Sequence, residues 1–252
     1  MANAIFFKAG SHSAVALCGR LAEDAKTFTA KKDGKTYTSL KLVTGNTYLA
    51  KDGVRRTTQT VPVFVEGSFD AKAADILAVT GEISTSVVAP KSEANKYEVT
   101  QLAVRSAKAE VAAHCAPETF NGINKAEIIG RVGSVRTVKT EKLSGCVVNV
   151  AVSRSEKTAD GYKDQTDWID VTFWGKRSET VLEKVGKGDL LLVKGKLNAR
   201  MTNVGGKSRL LLGFSAEDFN ILHKKPKVMA PVTVTPAAPA ASDTEDGDFP
   251  LF

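Results

Sequence analysis

The chain has 252 residues, 42% hydrophobic and 25% charged, enough to bury one large core or two ordinary ones without disulfides or a structural metal. Three cysteines, Cys18, Cys115 and Cys146, show no CxxC spacing, which excludes a disulfide framework and a zinc signature and suits a reducing compartment. The net charge of +7 is uneven: residues 243–252 hold four acids and no base, so the rest carries +11, a balance that favours a polyanionic partner.

Residues 1–13 read as a weakly ordered lead-in. Their four-residue apolar run before Lys8 is too short for a signal-peptide core, and no apolar run approaches the roughly twenty residues that span a bilayer, so a cytoplasmic location is expected. From Ala14, short Val-, Thr- and Leu-rich segments follow at 14–30, 36–46, 58–67, 76–89 and 96–107, separated by turn signals such as KKDGK and alternating as strands do. Residues 68–77, SFDAKAADIL, read as a short helix between the third and fourth strands. An Ala-rich stretch with proline and glycine, 109–123, reads as an interdomain linker. The adjacent His114 and Cys115 lack a second ligand pair, so no metal site is expected.

The second half repeats the first. LCGRL (17–21) answers IIGRV (128–132), SLKLVTGN (39–46) answers VVNVAVSR (147–154), TQTVPVFVEG (58–67) answers TDWIDVTFWG (166–175), and VTGEIS (79–84) answers VKGKLN (193–198), at offsets of 111, 108, 108 and 114. A helix is expected at 176–188, with Val181, Leu182 and Val185 on one side. Five strands with a helix between the third and fourth is the layout of the OB-fold, a five-stranded Greek-key barrel. The expected fold class is therefore all-β, two tandem OB-folds at 14–108 and 124–223, followed by a disordered Pro/Ala-rich linker at 224–242 and an acidic tip at 243–252.

The chemistry gathers at TDWIDVTFWG. Strand alternation sends Ile169, Val171 and Phe173 to one face and Trp168, Asp170, Thr172 and Trp174 to the other. Both tryptophans of the protein thus lie among polar neighbours. The strand at 191–200 sends Val193, Leu197 and Ala199 inward and Lys194, Lys196, Asn198 and Arg200 outward. Aromatic faces with cations nearby suit single-stranded nucleic acid, because rings stack on bases of any sequence while cations follow the phosphates. A loop from Arg154 to Gln165 and the lysine after the tryptophans, Lys176, extend this surface. The first half has Thr60 and Glu66 at the tryptophan positions and Thr80, Glu82 and Ser86 at the basic ones. It keeps Phe64 outward, with Tyr48, Arg55 and Arg56 in the stretch 47–56, giving either an auxiliary nucleic-acid contact or an assembly surface.

The second half resembles the bacterial single-stranded DNA-binding proteins over 124–222: NKAEIIGRVGS is similar to the family's opening strand, QTDWIDVTFWGK to its T-E-W…F-G-K segment, and KGDLLLVKGKLNAR to its K-G…V-x-G-x-L-x-x-R strand. The resemblance implies sequence-tolerant binding of single-stranded DNA, with Trp168 and Trp174 at stacking positions. Two further aromatic positions of the family fall near Glu156 and Met201, and Tyr48 matches the first of these in the other half. The family also ends in acids followed by a hydrophobic residue, proline and phenylalanine. Here Asp246, Asp248, Phe249, Pro250, Leu251 and Phe252 stand there, with one extra residue between proline and the final phenylalanine; the resemblance makes them a docking tip for replication, recombination or repair proteins. Members with two such domains pair, implying a homodimer and a cytoplasmic or nucleoid-associated protein. Without HExxH, GxSxG, P-loop or GxGxxG patterns, neither catalysis nor a cofactor is expected. The rival reading is an OB-fold adaptor that mainly binds protein partners.

Overall fold

The computed structural model describes residues 11–30, 34–50, 53–89, 99–114, 117, 120–140, 144–158, 161–204 and 207–225. The first half carries β1 (His12–Leu21), β2 (Lys26–Thr29), β3 (Thr36–Ala50), β4 (Gly53–Glu66), β5 (Ile76–Ala89) and β6 (Val99–Ala113). The second carries β7 (Ile123–Lys139), β8 (Ser144–Thr158), β9 (Gly161–Trp174), α1 (Lys176–Lys184), β10 (Leu190–Val204) and β11 (Lys207–His223). The acidic tip, with Asp246, Asp248, Phe249, Pro250, Leu251 and Phe252, lies outside the described residues.

The two halves pair their strands by one pattern. Every Cα pair of the β3–β4 hairpin, from Tyr37↔Glu66 to Ala50↔Gly53, recurs 108 residues later in β8–β9, from Gly145↔Trp174 to Thr158↔Gly161. The β5–β6 bulges at Ile76/Leu77 and Thr80/Gly81 recur in β10–β11 at Leu190/Leu191 and Lys194/Gly195. β4 runs parallel to β6 as β9 runs parallel to β11. Pairing of β1 with β3 and β5, and of β7 with β8 and β10, closes each set into a five-stranded OB-type barrel.

Alternation explains why each register holds. Ile169, Val171 and Phe173 are fully buried, as are Val61 and Val63, while Val65 is nearly so. At about 1.5–3 kcal/mol per buried large apolar side chain, a one-residue slip would expose the whole row and is strongly disfavoured.

Two differences separate the halves: β7 runs unbroken where the first half divides into β1 and β2, and only the second half has a helix among the described residues. Of the helix expected at 176–188, residues 176–184 form, with Ser178 and Val181 buried, Val185 buried just beyond its end and Leu182 facing out. Residues 68–77 form no helix: the segment is short, and nearby oxygens take its backbone N–H groups. Thr38 Oγ1 accepts from Phe69 N at 3.0 Å, Asp75 Oδ2 from Lys72 N at 2.8 Å, and Asp24 Oδ1 from Ala73 N at 2.8 Å. A helix of ten residues nucleates poorly against such local partners.

β1 also pairs antiparallel with β7 from His12↔Ile129 to Cys18↔Ile123, joining the two barrels into one continuous sheet. Side chains reinforce the junction. Asn124 Nδ2 donates to Thr44 Oγ1 of the first half at 3.5 Å, and Gln59 Oε1 accepts from Ala199 N at 3.0 Å. Asp167, fully buried, accepts from Thr85 N and Oγ1 at 2.8 and 2.7 Å and from Arg154 Nε at 2.8 Å. With several polar anchors of this kind, the halves have a fixed mutual orientation.

Candidate nucleic-acid interface

The outward face of β7, β8 and β9 is laid out by register. Gly145 stands opposite Trp174, Val147 opposite Thr172, Asn149 opposite Asp170 and Ala151 opposite Trp168; on the far side of β8, Arg136 is opposite Val147. Trp168 is 50% exposed and Trp174 36%, although Ile169, Val171 and Phe173, which alternate with them on β9, are fully buried. Six residues of extended chain separate the rings by about 20 Å. Both indoles lie over glycine: a Cβ at Gly133 would come 2.4 Å from Trp168 Cζ3, and one at Gly145 2.6 Å from Trp174 Cε3.

Between the rings sits a polar network. Arg136 Nη2 donates to Asp170 Oδ2 at 2.6 Å, and Asn149 Nδ2 donates to Asp170 Oδ1 at 2.7 Å. The carboxylate thereby holds the Arg136 guanidinium upright on the tryptophan face, where a fork of five N–H donors suits phosphate oxygens. Arg136 escapes sequence reasoning because it comes from β7, in a segment with no local motif.

The predicted basic ladder lies elsewhere. β10 pairs with β11 and β7, and β11 separates it from the tryptophan strand. Lys194 Nζ is 3.6 Å from Glu127 and Lys196 Nζ 2.7 Å from Glu217, so both lysines have acidic partners; Arg200 is exposed further along β10. Lys194 stands opposite Glu127 of β7, and Lys196 lies in the row Lys196, Ser215, Thr172 across β10, β11 and β9. Lys176 opens α1, exposed, two residues after Trp174.

Arg154 is not on a loop. The β8–β9 ladder continues to Thr158↔Gly161, and Arg154 faces the inner side with its side chain mostly covered and its Nε given to Asp167. Strand pairing likewise continues in the first half: Tyr48 stands opposite Arg55, and Arg56 opposite Thr47. Arg55 is exposed. Arg56 anchors the connection to the second half, donating to Phe120 O at 2.7 Å and to Asn121 Oδ1 at 3.4 Å.

Phe64 does face outward, among partners that sequence reasoning misses. Phe28, Tyr37 and Phe64 form an aromatic cluster with centroids 6.2 Å apart for both Phe28 pairs, and the Arg105 guanidinium lies 6.0 Å above the Tyr37 ring while donating to its hydroxyl at 3.2 Å. Phe64, Tyr37, Arg105 and Arg154 line a cleft of ≈ 850 Å³ between the halves.

Two aspartates at equivalent positions of the halves, Asp75 and Asp189, are held below their ordinary value. Backbone N–H of Lys72 and then the His114 ring, 2.8 Å away, hold Asp75 below its ordinary value. At the equivalent Asp189, burial works to raise the carboxyl, but the N–H groups of Gly186 and Lys225 hold it below the ordinary range. Among the described residues, no cluster of His, Cys, Asp and Glu could hold a metal, and no helix is long and apolar enough to cross a membrane.

Residues 123–222, from β7 almost to the end of β11, match the family model described as the single-strand binding protein family. The single-stranded DNA-binding protein 1 of Clostridium acetobutylicum is 31% identical over 107 residues, which are 41% of this chain and 96% of that protein. The single-stranded DNA-binding protein of Thermosynechococcus vestitus is 33% identical over 112 residues, 41% of this chain and 86% of that protein. In three dimensions, the wild-type single-stranded DNA binding protein from Thermus aquaticus superimposes with a TM-score of 0.61, covering 88% of this chain and 98% of that one at 17% identity, a likeness of fold alone.

Proposed function

This chain belongs to the single-strand binding protein family, and from that premise we propose that it binds single-stranded DNA with little sequence specificity, the main contact being the outward face of β7, β8 and β9. The observation that carries this reading is the exposure of Trp168 and Trp174 on a strand whose alternate residues are fully buried. Two rings about 20 Å apart serve different bases of one strand rather than clamp a single base. Stacking discriminates little between bases because each has a π-face. Arg136, held between the rings by Asp170, meets the backbone.

The first half, residues 14–108, supplies an auxiliary contact through Phe64 and its neighbours, and the stretch expected as a linker at 109–123, whose residues 109–113 complete β6, joins it to the principal domain at 124–223. The acidic tip, from Asp246 and Asp248 to Phe252, recruits replication, recombination or repair proteins, and the chain works as a cytoplasmic or nucleoid-associated homodimer. The charge pattern of 243–252, four acids before FPLF, supports the recruiting role. Addition of oligo(dT) at low salt should quench tryptophan fluorescence, and affinity should fall as salt rises, since phosphate contacts release counterions. Unchanged fluorescence at saturation would refute stacking. Native mass with and without a defined oligo(dT) reads the dimer and its stoichiometry together.

A further inference from the structure

We propose that Gly133 and Gly145 are positioning residues for base stacking: each is the floor on which one indole lies, keeping the opposite ring face turned to solvent. The proposal rests on the stacking reading above and extends it to two residues that need touch no DNA. Its first support is geometric. A Cβ at Gly133 would meet Trp168 Cζ3 at 2.4 Å and Cη2 at 3.2 Å, and one at Gly145 would meet Trp174 Cε3 at 2.6 Å and Cζ3 at 2.9 Å. Real Cβ atoms do not approach ring carbons so closely, so any larger residue must lift the ring from the sheet.

The second support is independent, a comparison of the two halves. Glycines that the barrel itself requires are kept in both. Gly19 and Gly130 pass beneath the carbonyls of Val43 and Ala151, and Gly81 and Gly195 beneath those of Arg105 and Ser215. Gly133 and Gly145 are not kept: Ala22 and Tyr37 stand at their positions in the first half. Those are the positions where the facing tryptophans are also absent, replaced by Thr60 and Glu66. Register places Tyr37 opposite Glu66 as it places Gly145 opposite Trp174. The barrel therefore forms without these glycines, and they occur where an indole must lie flat. A ring raised on a Cβ would lose contact with the sheet, gain rotamer freedom and present a less defined face to a base.

A double-mutant cycle in the full chain tests this, with binding of labelled oligo(dT) read by anisotropy at fixed low salt. Trp168→Ala should weaken binding by about five- to 150-fold, the range for one stacked base. Gly133→Ala should weaken it by about three- to tenfold, at or below the low end of that range, and the double variant should bind no worse than Trp168→Ala alone. In a Trp174→Phe background, Gly133→Ala should also reduce the quench of Trp168 at saturation. Loss of effect from Trp168→Ala itself would refute stacking at that ring. If Trp168→Ala is costly but Gly133→Ala is neutral, or if the glycine cost persists in the absence of Trp168, the floor role is overturned while stacking stands. The same cycle with Gly145 and Trp174 reads the second floor. A Cβ at Gly145 also meets the Phe173 carbonyl at 2.6 Å, so there the Gly145→Ala cost measured without the ring is subtracted from the cost measured with it.

Discussion

The two halves fold by the same register and bulges yet carry their aromatic side chains in opposite ways. In the second half the rings of Trp168 and Trp174 stand apart, each backed by glycine, with Arg136 and Asp170 between them. In the first half Phe28, Tyr37 and Phe64 pack on one another, and Arg105 covers Tyr37, which is buried. At one cross-strand pair the aromatic has even changed strands: Tyr37 faces Glu66 where Gly145 faces Trp174. Aromatic content alone therefore does not make a stacking platform. Exposure alone does not separate them either, since Phe28 is 43% exposed and Trp174 36%; what differs is the support, glycine beneath Trp168 and Trp174 and aromatic neighbours around Phe28.

The sharpest way to break this comparison is to remove the rings. Trp168→Ala with Trp174→Ala should cost about 2–6 kcal/mol of affinity for oligo(dT), two stacked bases at about 1–3 kcal/mol each, whereas Phe64→Ala should cost under about 1 kcal/mol because its ring is shared with Phe28. Anisotropy titration of both variants checks it, and equal losses would end the distinction between the halves.

The junction gives the next effect. Asp167→Ala leaves Arg154 and Thr85 without their shared carboxylate and should lower stability by about 2–4 kcal/mol in urea unfolding, as expected when one member of a buried ion pair is removed. A change below about 0.5 kcal/mol would mean that this carboxylate does not tie the first half to the second.

Salt dependence distinguishes the two basic groups. Arg136→Ala should reduce the slope of log affinity against log salt by about one unit. Lys196→Ala should change it less, since that lysine stands on β10, with β11 between it and the tryptophan strand, whereas Arg136 stands between the rings. The reverse ranking would move the phosphate path from β7 to β10.

The smallest effect concerns acid. Asp75 and Asp189 both lie below the ordinary aspartate value of 3.8, so each contributes stability that is complete above that value and is lost as pH falls through the lower folded-state value. Thermal melts between neutral pH and pH 3 should show this loss, and Asp189→Asn should flatten it. An Asp189→Asn profile parallel to that of the unaltered chain would show that the carboxylate is not the titrating group.

Much of this was legible in the residues themselves. The duplicated barrels follow from period-2 alternation and the offsets of 108 and 111, and the exposure of Trp168 and Trp174 follows from the same alternation. Gly133 and Gly145 were legible too, as glycines present in one repeat and absent from the other, but their meaning needed the rings above them. The helix expected at 68–77 failed because Thr38, Asp24 and Asp75 supply oxygens that local propensity does not anticipate.

By itself, the sequence determined which side chains point in and which point out, since a strand's in-and-out alternation is a property of the local backbone. Only the tertiary structure decided which outward side chains are neighbours. Closure of the barrel brought Arg136 from β7 to the tryptophans and put β11 between them and Lys194 and Lys196. It also turned Arg154 inward to the buried Asp167, and pairing of β1 with β7 set the first half against that carboxylate through Thr85. Those neighbours meet through strand order and sheet curvature, which join residues far apart in the chain and leave no periodic trace within any one segment.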